Sequence, residues 1–174
     1  MSANWQTLLK DVPDFPKPGI VFKDITPVLA DRVALNAVIA ELCDPWKDHG
    51  ITHVVGVESR GFIFGTGMAQ GLNAGLILVR KPGKLPRETH QVSYELEYGT
   101  DSLELHIGDL NPGDRVVISD DVLATGGTAE ATARLIAQSG ATLVGFSFVL
   151  ELGFLAGRSR LALHGEVGSA MVLD

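Results

Sequence analysis

Four short runs in this chain are apolar almost without interruption: Val54-Val55-Gly56-Val57, Leu76-Ile77-Leu78-Val79, Val116-Val117-Ile118 and the stretch from Leu143 to Leu150. A strand with one wet face alternates apolar and polar residues. These do not, so each must be covered on both faces, as strands are in a parallel sheet between helical layers. Helical patterns fall between the runs. Leu35, Val38, Ile39, Leu42, Cys43 and Trp46 recur at three- and four-residue steps behind a candidate cap at Asp31. Pro45 is expected to end or kink that helix, and Gly140 to stop a second one over about 129–139. The pattern predicts an α/β fold, an open doubly wound and mostly parallel sheet flanked by helices. Ligands of such sheets bind at the carboxyl ends of the strands. With 174 residues, no internal repeat and no linker composition, residues 1–174 read as one domain.

The third run ends unusually. Val116-Val117-Ile118-Ser119 leads into Asp120-Asp121, an apolar pair, Ala124-Thr125-Gly126-Gly127-Thr128 and then a helix. A loop that opens onto a helix start presents unpaired backbone N–H groups and the positive end of the helix dipole, which suits a phosphate. Two glycines let the backbone come close to the anion, and the threonine hydroxyls add donors. Adjacent carboxylates accept hydrogen bonds only, so they suit a vicinal diol. Ala124, Thr125, Gly126, Gly127 and Thr128 with Asp120 and Asp121 therefore form a candidate ribose 5-phosphate site, the aspartates expected at the strand end. No Gly-Lys-Ser/Thr follows, so this is not a nucleoside-triphosphate P-loop.

The formal charge of −7 argues against a general nucleic-acid binder. Against that background Arg80-Lys81-Pro82-Gly83-Lys84-Leu85-Pro86-Arg87 places four of the chain's 14 basic residues in eight positions. It reads as a solvated loop or as an anion clamp. One cysteine, Cys43, leaves no disulfide framework and no cysteine-based metal cluster. Neither a signal peptide nor a membrane-length apolar run is visible, which predicts a cytoplasmic protein without a membrane partner.

Residues 91–107 carry a different period. Tyr94, Leu96 and Tyr98 alternate with Glu95 and Glu97, and beyond Gly99-Thr100-Asp101, Leu103, Leu105 and Ile107 alternate with Glu104 and His106. This is a hairpin with one wet face. Together with the basic loop it reads as a movable arm over about 81–107. Gly65-Thr66-Gly67-Met68-Ala69-Gln70-Gly71 mimics a dinucleotide fingerprint but misplaces the third glycine. It reads as a small-residue helix face packed on the sheet.

The Asp-Asp to Thr128 segment resembles the phosphoribosyl-diphosphate motif of type I phosphoribosyltransferases. Phe15-Pro16-Lys17-Pro18-Gly19-Ile20-Val21-Phe22-Lys23-Asp24-Ile25-Thr26-Pro27 is similar to the amino-terminal signature of the adenine phosphoribosyltransferase family. Glu58-Ser59-Arg60-Gly61-Phe62 resembles its pyrophosphate loop, the Arg80–Pro86 stretch its basic loop, and Ser93-Tyr94-Glu95-Leu96-Glu97-Tyr98-Gly99 its mobile catalytic loop. The five segments run in family order from about Phe15 to Leu152.

The resemblance implies transfer of a ribose 5-phosphate from phosphoribosyl diphosphate to N9 of adenine, with Mg²⁺ carried mainly on the diphosphate and no protein metal cage. It implies a homodimer and a small amino-terminal hood over about 1–30, whose Val21, Phe22 and Lys23 bind the base with the phenylalanine stacked on it. Ser59, Arg60, Arg80 and Lys84 would hold pyrophosphate. Glu95, Glu97 and Glu104 are equal candidates for proton chemistry on the residues alone. The family register selects Glu97 and Tyr98. Two positions depart from it: Glu58, where aspartate is usual, and Ser119, where an apolar residue is. Two alternatives remain: transfer to another purine, and a regulator that senses phosphoribosyl diphosphate without chemistry.

Overall fold

The computed structural model describes residues 4–15, 17–95 and 99–174. A 3-10 turn at Trp5–Leu8 precedes β1 (Lys10–Pro13), β2 (Val21–Asp24), α1 (Thr26–Ala30), α2 (Arg32–Cys43), β3 (His53–Val57), α3 (Gly61–Gly71) and β4 (Gly75–Val79). Then come β5 (Thr89–Glu95), β6 (Thr100–His106), β7 (Arg115–Leu123), α4 (Gly127–Ser139), β8 (Thr142–Leu152), α5 (Gly157–Leu161) and β9 (Glu166–Leu173). Five strands form a parallel sheet in the order β4-β3-β7-β8-β9.

Three of the continuous apolar runs are the inner strands β3, β7 and β8. The fourth, Leu76-Ile77-Leu78-Val79, is β4 at the sheet edge, where Leu78 is exposed rather than covered. The side chains of the inner strands divide between two cores. On one face Val55, Val57, Val116, Ile118, Phe146 and Phe148 pack with Leu135 and Ile136 of α4. On the other, Val54, Val117 and Val149 meet Val38 and Leu42 of α2 with Phe64 and Met68 of α3. Helices on both faces make the sheet doubly wound, as its sequence predicts. Asp31 caps α2, accepting from the N–H groups of Val33 and Ala34 at 2.8 and 2.9 Å. Past Cys43 the chain tightens into a 3-10 turn containing Pro45. Gly140 adopts the left-handed conformation that ends α4. The glycine stretch of α3 is a packing face: a Cβ on Gly67 would lie 2.5 Å from Ile39, and one on Gly65 3.3 Å from the Gly56 backbone.

Three expectations change. First, β7 does not stop at the aspartates but continues to Leu123, because Asp120 and Val122 stay in register with Phe148 and Leu150 of β8. Second, the sheet gains a strand beyond the four apolar runs: β9, at the edge opposite β4. Its Gly168-Ser169-Ala170 centre has neither the apolar run nor the alternation by which strands are recognised. Third, the hairpin of β5 and β6 exists, but its inner half belongs to the core. Val92, Leu103 and Leu105 are buried beneath it, and the Arg80 and Glu104 backbones pair. An arm lifting as a whole over 81–107 would expose that apolar surface. Among the described residues no helix is long and apolar enough to cross a membrane.

Candidate active site

The strand order reverses between β3 and β7, and the carboxyl ends of these neighbours meet at the crevice where open α/β sheets bind ligands. After β3 the chain turns through Glu58, Ser59 and Arg60 into α3. Gly61 permits this turn to lie on β7, since a Cβ there would sit 2.7 Å from the Ser119 carbonyl oxygen and 3.0 Å from Asp120 Oδ1. Ser59 and Arg60 are exposed at the mouth.

Asp121 is buried and holds Arg60, with Nε 2.6 Å from Oδ2. Arg60 also lies over the Phe22 ring, 5.4 Å from its centroid. One guanidinium thus links the amino-terminal hairpin to the carboxylate pair. Asp120 accepts the Asp121 N–H at 2.8 Å. Burial, reinforced by the charge of Asp121, pushes the Asp120 carboxyl well above the usual carboxylate range.

Beside them lies a cavity of about 90 Å³ lined by Asp120, Ala124, Thr125, Gly126, Gly127 and Thr128, among others. Gly126 takes a left-handed φ of 81° so that α4 can begin at Gly127, two residues earlier than its periodicity suggests. No side chain caps this helix start, so its first N–H groups point into the cavity without a side-chain acceptor. The loop is buttressed from behind, where a Cβ on Gly157 would come within 2.2 Å of the Ala124 carbonyl oxygen. Tyr94 and Arg160 flank Gly127, and Tyr94 Oη lies 3.3 Å from Thr128 Oγ1. Nothing local in the sequence marks Arg160, which follows the last family-like segment.

The basic loop converges on one carboxylate. Glu58 accepts from Arg80 Nε at 3.3 Å, from the Lys81 N–H at 2.9 Å and from Lys84 Nζ. Burial of Glu58 opposes its charge, but the bonds from Lys84, Lys81 and Arg80 outweigh that penalty and hold the carboxyl down to about 2. The loop is also stitched to β6: Gly83 N–H donates to Glu104 at 3.1 Å and Lys81 pairs with Asp101 at 3.1 Å. Glu104 is therefore engaged structurally, which removes it from the three carboxylates left equal by sequence. Glu95 is exposed at the outer end of β5. Glu97 and Tyr98 lie outside the described residues, between Glu95 and Gly99.

The hood is a two-stranded antiparallel hairpin in which Val12 faces Phe22 and Pro13 faces Val21. Val21, Phe22 and Lys23 do not share one wall, because side chains alternate along a strand. Phe22 turns toward Phe15 and Arg60. Val21 and Lys23 face a cavity of about 660 Å³ whose far side is Leu152, Phe154 and Val172. Lys23 is paired with Asp11 at 2.5 Å. Pro13 has no N–H, so the Val21 carbonyl receives no hydrogen bond from the residue opposite it. The carboxyl-terminal wall is pinned by Arg158, which grips buried Glu151 at 2.9 and 2.5 Å while Ser169 donates to the same carboxylate at 2.6 Å.

Residues 30–159 match the family model described as "Phosphoribosyl transferase domain". The adenine phosphoribosyltransferase of Anaeromyxobacter sp. (strain Fw109-5) is 59% identical over 153 residues, 88% of this chain and 86% of that protein. The crystal structure of adenine phosphoribosyltransferase from Rhodothermus marinus DSM 4252 superimposes with a TM-score of 0.91 at 53% identity, covering 97% of this chain and 96% of its own. The APRTase from Giardia lamblia complexed with 9-deazaadenine gives a TM-score of 0.93 at 37% identity over 100% and 99% of the two chains.

Proposed function

On the premise that the chain belongs to the adenine phosphoribosyltransferases within the phosphoribosyl transferase domain family, we propose that it transfers the 5-phosphoribosyl group from phosphoribosyl diphosphate to N9 of adenine, giving AMP and pyrophosphate. The observation that carries this reading is the adjacency, at one switch point, of an uncapped helix start, a carboxylate pair and a cluster of cations.

Each part has a physical task. The 5-phosphate lies in the cavity from Ala124 to Thr128, held by backbone N–H groups, threonine hydroxyls and the α4 dipole. Asp120 and Asp121 accept from the ribose hydroxyls, with Arg60 released from Asp121 toward the leaving group. Arg60, Arg80 and Lys84 neutralise the diphosphate, with the Ser59 hydroxyl donating to it, as the C1′–O bond breaks. The N9–C1′ bond then forms, and the N9 proton departs. A site that fixes these charges beforehand avoids reorganising solvent around the ribose cation. Mg²⁺ supplies further charge neutralisation when it arrives bound to the diphosphate. Among the described residues no group of three or more His, Cys, Asp or Glu converges as a cage, and the donor set suits a metal held chiefly by substrate oxygens and water.

The base pairs edge-on with the backbone of β2. A ring bound this way lies in the plane of the hairpin. Strand alternation then puts Phe22 on one face of the ring and the apolar wall of Leu152 and Phe154 on the other. The family register assigns Glu97 and Tyr98 to the proton chemistry, the Glu97 carboxyl in its protonated form donating to N7 as the N9 proton leaves. Glu97→Ala should lower kcat more than it disturbs ground-state substrate affinity, read from steady-state kinetics beside direct binding, because its contact strengthens as the purine loses its proton. Equal turnover would remove Glu97 from the reaction. The active form is a cytoplasmic homodimer.

The direct test supplies isotopically labelled adenine, phosphoribosyl diphosphate and Mg²⁺ and separates the products. Labelled AMP with stoichiometric pyrophosphate is expected. Binding of phosphoribosyl diphosphate without product would leave the sensing reading instead.

A further inference from the structure

We propose that Glu58 is an internal stand-in for the leaving diphosphate. Its carboxylate holds Lys84, Arg80 and the Lys81 N–H in the free protein, and it surrenders them when the diphosphate arrives. Glu58 is then a positioning residue that sets the affinity for that group. The proposal rests on the assignment of Arg80 and Lys84 to the diphosphate.

Four observations carry it. The Glu58 side chain is only 10% exposed, yet its partners all come from a single segment, the basic loop. Two cationic side chains and one backbone N–H aimed at two carboxylate oxygens form the arrangement that phosphoryl oxygens require. Glu58 opens the turn that carries Ser59 and Arg60, so carboxylate and diphosphate compete for one volume. The remaining cation of the set behaves alike, since Arg60 rests on Asp121. In the free protein the site's cations are thus neutralised by its own carboxylates.

The loop does not depend on Glu58 for its place. The paired backbones of Arg80 and Glu104, the Gly83 bond to Glu104 and the Lys81–Asp101 pair all remain when Glu58 lets go. Glutamate rather than aspartate matters here, because the extra methylene lets the carboxylate reach Lys84 and Arg80 together. The chemical consequence is selective. Diphosphate is present in both substrate and product, so a built-in competitor weakens its uniform binding and eases its release.

The test is calorimetric titration of inorganic pyrophosphate with Mg²⁺ into the wild type, Glu58→Gln, Glu58→Asp and Lys84→Ala. Glu58→Gln keeps the shape and removes the charge. It should bind pyrophosphate about three- to tenfold tighter, the size of one or two half-exposed ion pairs no longer broken. Glu58→Asp, charged but shorter, should fall between it and the wild type, and it reports the same competition if the glutamine variant does not fold. Unchanged or weaker binding in the folded variants, with Lys84→Ala weakened, overturns the exchange while leaving the diphosphate assignment standing. Wild-type affinity in Lys84→Ala overturns the assignment itself, and the proposal with it.

Discussion

Asparagine at both Asp120 and Asp121 should lower kcat/KM by about 10²–10⁴-fold, taking about 1.5–3 kcal/mol for each charge-assisted hydrogen bond lost to the ribose diol. The fold should survive, because the two amides keep the shape of β7 and its register with β8. Near-normal turnover of the double variant would sink the diol assignment. Stability adds a second readout. The Asp120 carboxyl is raised in the folded state, so the native protein holds its proton more tightly than the unfolded chain does. The charged form therefore costs stability, and this cost grows as pH rises from the unfolded carboxylate value of about 4 toward the folded one. Asp120→Asn alone should melt higher than the wild type at neutral pH, with the difference closing below about pH 4. That result would mark Asp120 as a position where function is held against stability, as strained active sites commonly are.

The second large effect concerns the base. Adenine should exceed hypoxanthine by about 10³-fold in kcat/KM, by analogy with sites that pair polar edges and leave buried groups unmatched by the wrong ligand. A β2 carbonyl accepting from the N6 group of adenine would supply this discrimination. Hypoxanthine offers an oxygen there, and two acceptors face each other. Competition between labelled adenine and hypoxanthine, each with phosphoribosyl diphosphate, measures the ratio. Comparable rates would show that the β2 backbone does not read the edge.

What the sequence made legible follows from locality. The inner strands, the Asp31 cap and the Gly140 stop are each written in adjacent residues, and the structure places them as read, whereas the loop from Ala124 is shorter than its residues suggest because β7 runs on to Leu123 and α4 begins at Gly127. Charge pairing is not written that way. That Arg80 and Lys84 converge on Glu58, and Arg60 on Asp121, depends on which strand ends the sheet order brings together. The alternation that separates Phe22 from Val21 and Lys23 was available in principle, but only the hood's pairing shows which face each takes. Tyr94 and Arg160 reach the phosphate loop from elements distant in the chain. β9 has no periodic signal because a Gly-Ser-Ala strand at a sheet edge needs little apolar surface.

The pairing of β3 with β7 also governs when the protein acquires its chemistry. The two strands begin beside Thr52 and Arg115, a hydrogen-bonded pair separated by 63 residues. Closing a loop of that length costs about 4 kcal/mol of chain entropy, before any contact repays it. Parallel pairings of such separation are slow to form. Arg60 stands at the end of one strand and Asp121 on the other, so the two halves of the site are brought together only by this closure. A partly folded chain with α2, the hood and the β5–β6 hairpin already in place would still be inert. Recovery of turnover during refolding therefore clocks the central strand pairing rather than the appearance of helix.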